Sequence, residues 1–78
     1  MAGIDPIANP RYTYLQAADT LAARIQAGTY TTRLPAERDL AEEYGVAYQT
    51  IRHAIAVLRE RGLVITRHGR GTYIKDQQ

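Results

Sequence analysis

Residues 34–52 read Leu34-Pro-Ala-Glu-Arg-Asp-Leu-Ala-Glu-Glu-Tyr-Gly-Val-Ala-Tyr-Gln-Thr-Ile-Arg52, and the fold turns on this stretch. Pro35 is pre-set for a first helical turn, Glu37 and Asp39 suit the positive end of a helix dipole, and Leu40, Ala41 and Tyr44 recur on one side. A helix is therefore expected over residues 35–44. Gly45 can take a positive φ without steric cost and ends it, while Val46 turns its apolar side inward at the corner. Ile51, Ala54, Ile55 and Leu58 then follow at helical spacing until Gly62 stops the pattern, so a second helix is expected over residues 47–61. Two short helices meeting at so tight a corner form a helix-turn-helix.

On the N-terminal side, Tyr14, Leu15, Ala18, Leu21, Ala22 and Ile25 make an amphipathic stripe with Gly28 as its C-terminal cap, which predicts a helix over about residues 12–27. Residues 1–10, with Pro6 and Pro10 and no apolar periodicity, read as an extended arm. Residues 29–34 are polar and β-branched and predict one short strand before Pro35. On the C-terminal side, Leu63-Val-Ile-Thr-Arg67 and Thr72-Tyr-Ile-Lys75 are β-rich runs joined by His68-Gly-Arg-Gly71. They predict a hairpin with a small, basic tip over residues 68–71. The expected fold is mainly α with a small β-sheet, three helices and a C-terminal hairpin, in one domain over residues 11–76 with residues 77–78 as a tail.

The chain has 78 residues, one small domain with a core of limited size. It contains no cysteine, which removes disulfides, thiolate zinc sites and cysteine nucleophiles together and fits a reducing cytoplasm. No apolar run is long enough to span a bilayer, and Met-Ala-Gly-Ile-Asp-Pro lacks the character of a signal peptide, so no membrane partner is expected. The net charge is only +2, but it is unevenly placed. Arg11, Arg24, Arg33 and Arg38 face six carboxylates in residues 1–44, a net of −2; Arg52, Arg59, Arg61, Arg67, Arg70 and Lys75 face only Glu60 in residues 45–75, a net of +5. Nine of the ten basic residues are arginine, whose planar fork suits phosphates and guanine edges, so a polyanion is the partner to expect.

A helix-turn-helix followed by a basic-tipped hairpin has the geometry to place one helix in the major groove of double-stranded DNA and the hairpin in the neighbouring minor groove. On a helical wheel Gln49, Arg52, His53 and Ala56 fall on the face of the third helix opposite the core, with Arg59 beside Arg52. Arg52 has the fork to pair with guanine O6 and N7, and Gln49 the amide to read adenine. Tyr48, Thr50 and Arg38 fall towards the flanks, where phosphate contact is the natural role. His68 and Arg70, set among glycines, are shaped for a narrow minor groove. Competing readings are a protein-interaction module on the same scaffold and a small enzyme. The second needs a nucleophile with a base, clustered acids or a metal set, and the sequence offers none, so an enzyme is not expected. His53 and His68 stand on different elements without a third ligand, and His68-Gly-Arg-Gly71 lacks the lysine and following helix of a phosphate loop; no metal or cofactor is expected.

Bland roles compete at several of these positions. Arg38 is spaced for an i, i+4 ion pair with Glu42. Arg59, Glu60 and Arg61 read as a solvated face near a helix C-terminus. Tyr12, Tyr30, Tyr44 and Tyr73 read as core or rim residues, with Tyr48 the exception.

The residues also carry a family resemblance. Leu34 to Val46, then Thr50-Ile-Arg52, Ala54, Leu58, Gly62-Leu63 and Gly69-Arg-Gly-Thr-Tyr73, closely resembles the N-terminal winged-helix domain of GntR-type bacterial transcription regulators, and the likeness extends from Tyr12 to Lys75. The resemblance implies a winged helix-turn-helix and a dimeric repressor or activator on a palindromic operator; repression is the expectation, because so small a chain leaves little surface for recruiting polymerase. It carries DNA contact onto Arg38, Thr50, Arg52, His68 and Gly69, with Ala47, Tyr48 and Gln49 as variable readers. Two residues depart from the pattern: Ala47 stands where the family commonly has Ser or Thr, and Tyr48 replaces a frequent arginine. Such regulators usually continue into an effector-binding, dimerising domain, which residues 1–78 do not include, so no effector ligand is expected within these residues.

Overall fold

In the computed structural model, which describes the backbone of residues 10–75 and the side chains of residues 13–75, three helices lead into one hairpin. The elements are α1 (Pro10–Gln26), α2 (Glu37–Tyr44), α3 (Tyr48–Glu60), β1 (Val64–Arg67) and β2 (Gly71–Ile74). The arm expected over residues 1–10 and the tail at 77–78 lie outside the described residues, except that Pro10 opens α1. The side chain of Tyr12 also lies outside them.

Helix α1 packs mainly on α3. Its buried row is Thr13, Ala17, Leu21 and Ile25, with Ala18 beside it, whereas Tyr14, Leu15 and Ala22 of the expected stripe are only half-buried. The contact therefore runs along one i, i+4 ridge, and small Ala17 and Ala18 let α3 approach closely. The core closes with Leu34, then Leu40, Ala41 and Tyr44 of α2, Ile51, Ala54, Ile55 and Leu58 of α3, and Val64 of β1. On α2 and α3 these are the residues that helical spacing selected.

All three helices end in the same way. At α2 the N–H of Val46 reaches the Ala41 carbonyl (3.1 Å) and that of Gly45 the Glu42 carbonyl (3.3 Å), a Schellman cap made possible by Gly45 at φ 68°. Matching pairs, Thr29 to Arg24 and Leu63 to Leu58, close α1 and α3. The starts differ from expectation. Helix α2 begins at Glu37, two residues after Pro35, because Leu34 is still extended and donates to the Thr72 carbonyl (2.9 Å). Ala36 is the N-cap, and its carbonyl accepts from Leu40 (3.0 Å). Helix α3 begins at Tyr48 with Ala47 as N-cap.

The hairpin pairs Val64 with Ile74, Ile65 with Tyr73, Thr66 with Thr72 and Arg67 with Gly71. Its tip is His68-Gly69-Arg70, closed by the Arg70 N–H to the Arg67 carbonyl (2.9 Å) with Gly69 at φ 74°. The strand expected over residues 29–34 shrinks to a single bridge, Arg33 to Tyr73, flanked by the hydrogen bonds of Leu34 to Thr72 and Ile74 to Thr32. Pro35 has no N–H to continue the ladder, so pairing stops there.

A polar cluster ties α1 to α2 at one end of the core. Arg24 donates to Glu43 (2.8 Å) and to the Tyr44 hydroxyl (3.1 Å), with its Cζ 4.9 Å from the Tyr44 ring centroid. The Tyr30 hydroxyl is buried in this cluster without a hydrogen bond of regular geometry. Its proximity, followed by that of Tyr44, holds the Arg24 guanidinium above its ordinary value.

Candidate nucleic-acid interface

The core residues of α3 occupy one side, which leaves the arc Tyr48, Gln49, Arg52, His53, Arg59 and Glu60 exposed, with Ala56 half-buried within it. The arc has two edges set by what each neighbour packs against. On the α2 and wing edge stand Tyr48, Arg52 and Arg59; on the α1 edge stand His53 and Glu60. Gln49 and Ala56 lie between them.

Arg52 is the best-placed cation on this arc. Its Nε is 3.9 Å from Glu37 Oε1 and its Cζ 5.9 Å from the centroid of the Tyr48 ring. Both charges are substantially solvated, so the pair contributes under about 1 kcal/mol, but ring and carboxylate narrow the directions the guanidinium can take. Tyr48 is 45% exposed, a large side chain left outside the core. It also borders a hollow of about 460 Å³ with Arg38, Ala41, Glu42 and Val46, which places Arg38 beside the start of α3. Thr50 is half-buried, and Ala47 and Gln49 are exposed.

The wing tip supplies the second part. His68, Gly69 and Arg70 are exposed, and a concavity of about 460 Å³ connects them with Arg33 and with Glu37, the partner of Arg52. The structure thus brings Arg38, Ala47, Tyr48, Gln49, Thr50 and Arg52 together at the start of α3 and continues through Glu37 to His68, Gly69 and Arg70. His53 stands apart. Its ring meets Tyr14 of α1 edge-on, with centroids 5.4 Å apart and planes at 63°, so it caps the α1–α3 seam.

Three bland expectations change. Among the described residues no ion pair joins Arg38 to Glu42; Arg38 remains exposed beside Tyr48. Arg59 donates to Thr66 Oγ1 (2.7 Å) and ties α3 to the wing, and Arg61 pairs with Asp19 (2.9 Å) and ties α3 to α1. Those two arginines are struts between elements as well as solvated charges. Glu37, which sequence reasoning placed only at a helix dipole, is the carboxylate facing Arg52, and no local spacing links residues on separate helices.

Three helices, a second helix of the turn with a polar outer face, and a basic-tipped hairpin beside it define a winged helix-turn-helix. A family model described as bacterial regulatory proteins, gntR family, matches residues 13–74. The Exu regulon transcriptional regulator of Escherichia coli K12 is 39% identical over 74 residues, covering 92% of this chain and 29% of that protein. The HTH-type transcriptional regulator SmoD of Agrobacterium fabrum is 39% identical over 64 residues, covering 80% and 27%. Among solved structures, AraR(DBD) in complex with operator ORX1 superposes with a TM-score of 0.74 at 31% identity, over 80% of this chain and 77% of that one. Streptococcus agalactiae GntR gives 0.73 at 38% identity, over 81% and 32%. The chain belongs to the GntR family of bacterial regulatory proteins. It spans less than a third of the length of the curated relatives it matches. The family and these relatives are regulators of transcription, not enzymes. Among the described residues no helix is long and apolar enough to cross a membrane, and no three His, Asp or Glu side chains gather as a metal site.

Proposed function

We propose that residues 11–76 bind double-stranded DNA in a sequence-specific manner and regulate transcription, by repression through occlusion of the operator. The observation that carries this reading is the outer arc of α3: Gln49 and Arg52 stand free of core duties, and Arg52 is oriented by Glu37 and Tyr48. In the major groove Arg52 pairs with a guanine and Gln49 reads the neighbouring step, while Arg38, Tyr48 and Thr50 contact phosphates and Ala47 lets the backbone come close. His68, Gly69 and Arg70 enter the adjacent minor groove. The chain acts as a homodimer on a palindromic operator, with half-sites about one helical turn apart. The similarity to AraR(DBD), solved with an operator, supports DNA as the partner.

The test is selection from a pool of random duplexes at near-physiological salt, with wild type and Arg52→Ala in parallel. A palindromic consensus from the wild type is expected, with one position relaxed in the variant at a cost of about 1–3 kcal/mol. Arg70→Ala should weaken all retained sequences evenly. Retention without a consensus would remove sequence specificity from the reading. Failure to retain duplex at all would favour an interaction module on the same scaffold.

A further inference from the structure

The strand register assigns the wing two faces. Val64, Thr66, Thr72 and Ile74 alternate on one, and the burial of Val64 and Thr72 marks it as the side facing the core. Ile65, Arg67, Gly71 and Tyr73 alternate on the other, and the bridge from Arg33 to Tyr73 adds Arg33 to that outer face. There two guanidinium groups share one ring: the Cζ of Arg33 is 6.0 Å and that of Arg67 5.8 Å from the Tyr73 centroid. Arg33 lies across β2 where Gly71 carries no side chain, since a Cβ at Gly71 would stand 3.4 Å from Arg33 Nε.

Neither arginine forms an ion pair among the described residues; Glu37, Glu43 and Asp19 are engaged by Arg52, Arg24 and Arg61. Two cations drawn onto one ring repel each other and have no carboxylate within ion-pair distance among the described residues, an arrangement that an external anion relieves. Both arginines also line the concavity that reaches the wing tip at His68 and Arg70, so the pair is continuous with the surface assigned to DNA. Guanidinium forks on a fixed ring match phosphate oxygens in a bidentate geometry.

We propose that Arg33 and Arg67, held on the Tyr73 ring, form a binding site for backbone phosphates of duplex DNA beside the wing tip. This rests on the reading of the chain as a duplex binder. The site adds affinity and register and carries no base preference.

The test is anisotropy of a labelled random-sequence duplex with the intact chain over a range of salt concentrations, with circular dichroism confirming that each variant is folded. Arg33→Ala and Arg67→Ala are each expected to make the slope of log affinity against log salt shallower by about one, and the double variant by about two. Tyr73→Leu keeps both charges and removes the ring; at fixed salt it should weaken binding about two- to fivefold, the equivalent of one exposed cation–π contact, while Tyr73→Phe leaves binding unchanged. Arg61→Ala removes the same charge from the Asp19 pair and should leave the slope as it is. Unaltered slopes in both arginine variants, or an equal change in Arg61→Ala, would overturn the proposal and leave duplex binding intact. A wild-type chain without salt-dependent duplex binding would overturn it together with the reading beneath it.

Discussion

At Tyr44, a phenol that helical spacing marks as core-facing is also an acid whose ionisation the fold opposes. Burial, and after it the neighbouring Tyr30 hydroxyl, push its pKa well above the usual tyrosine value of about 10. A raised pKa means the native state holds its proton where the unfolded chain releases it. The stabilisation from a neutral Tyr44 is thus complete below about pH 10 and is lost as pH climbs towards the folded value. Denaturant titrations between pH 8 and 11 should show wild type losing stability more steeply above pH 10 than Tyr44→Phe, by at most about 1.4 kcal/mol per pH unit. Parallel curves would show that this phenol is not the group responsible. Single residues were legible in the sequence where one helix decided their fate, as with the burial of Ile51, Ala54, Ile55 and Leu58. They were illegible where the partner came from another element. The Glu37 to Arg52 pair joins two helices, and the stack of Arg33 and Arg67 on Tyr73 depends on a strand register set by distant parts of the chain.

Elements were read better at their ends than at their starts, and the reason is chemical. Every helix stops at a glycine in a left-handed conformation, a signal visible in any sequence. The starts of α2 and α3 are capped by Ala36 and Ala47, neither of which has a side-chain acceptor for the first free N–H groups. With no Ser, Thr, Asp or Asn to mark the boundary, the sequence points to Pro35 as the start of α2, two residues too early. The same absence yields a prediction. Ala47→Ser supplies an acceptor at an N-cap already in the extended conformation (φ −66°, ψ 150°) and should stabilise the domain by about 1 kcal/mol in a urea titration. An unchanged midpoint would show that solvent satisfies those donors just as well. The strand expected over 29–34 is only a bridge for a related reason: β-branched composition favours extension, but strand length depends on how many residues have a partner before Pro35.

For the whole molecule, charge and topology act together. The net charge of only +2 hides an acidic excess over residues 1–44 and a basic excess over residues 45–75, the stretch that builds α3 and the wing. Topologically, α1, α2 and α3 form a body of buried side chains, and the hairpin joins it through Val64, the partly buried Leu63 and Ile74, the Arg59 to Thr66 hydrogen bond and a narrow seam to residues 32–34. That seam consists of the Leu34 to Thr72 and Ile74 to Thr32 hydrogen bonds and the Arg33 to Tyr73 bridge, contacts between segments far apart along the chain. A two-stranded hairpin is marginal by itself, so its order depends on that seam. Native-state hydrogen exchange is therefore expected to release the Leu34 and Ile74 amides at a lower free energy than those of Ile55 and Leu58, and equal protection would mean that wing and body open as one unit. If the amides separate in this way, the wing is a flap with its own latch, lifting and reseating while the three-helix body stays folded, and contact along its outer face would lengthen the time the latch stays shut.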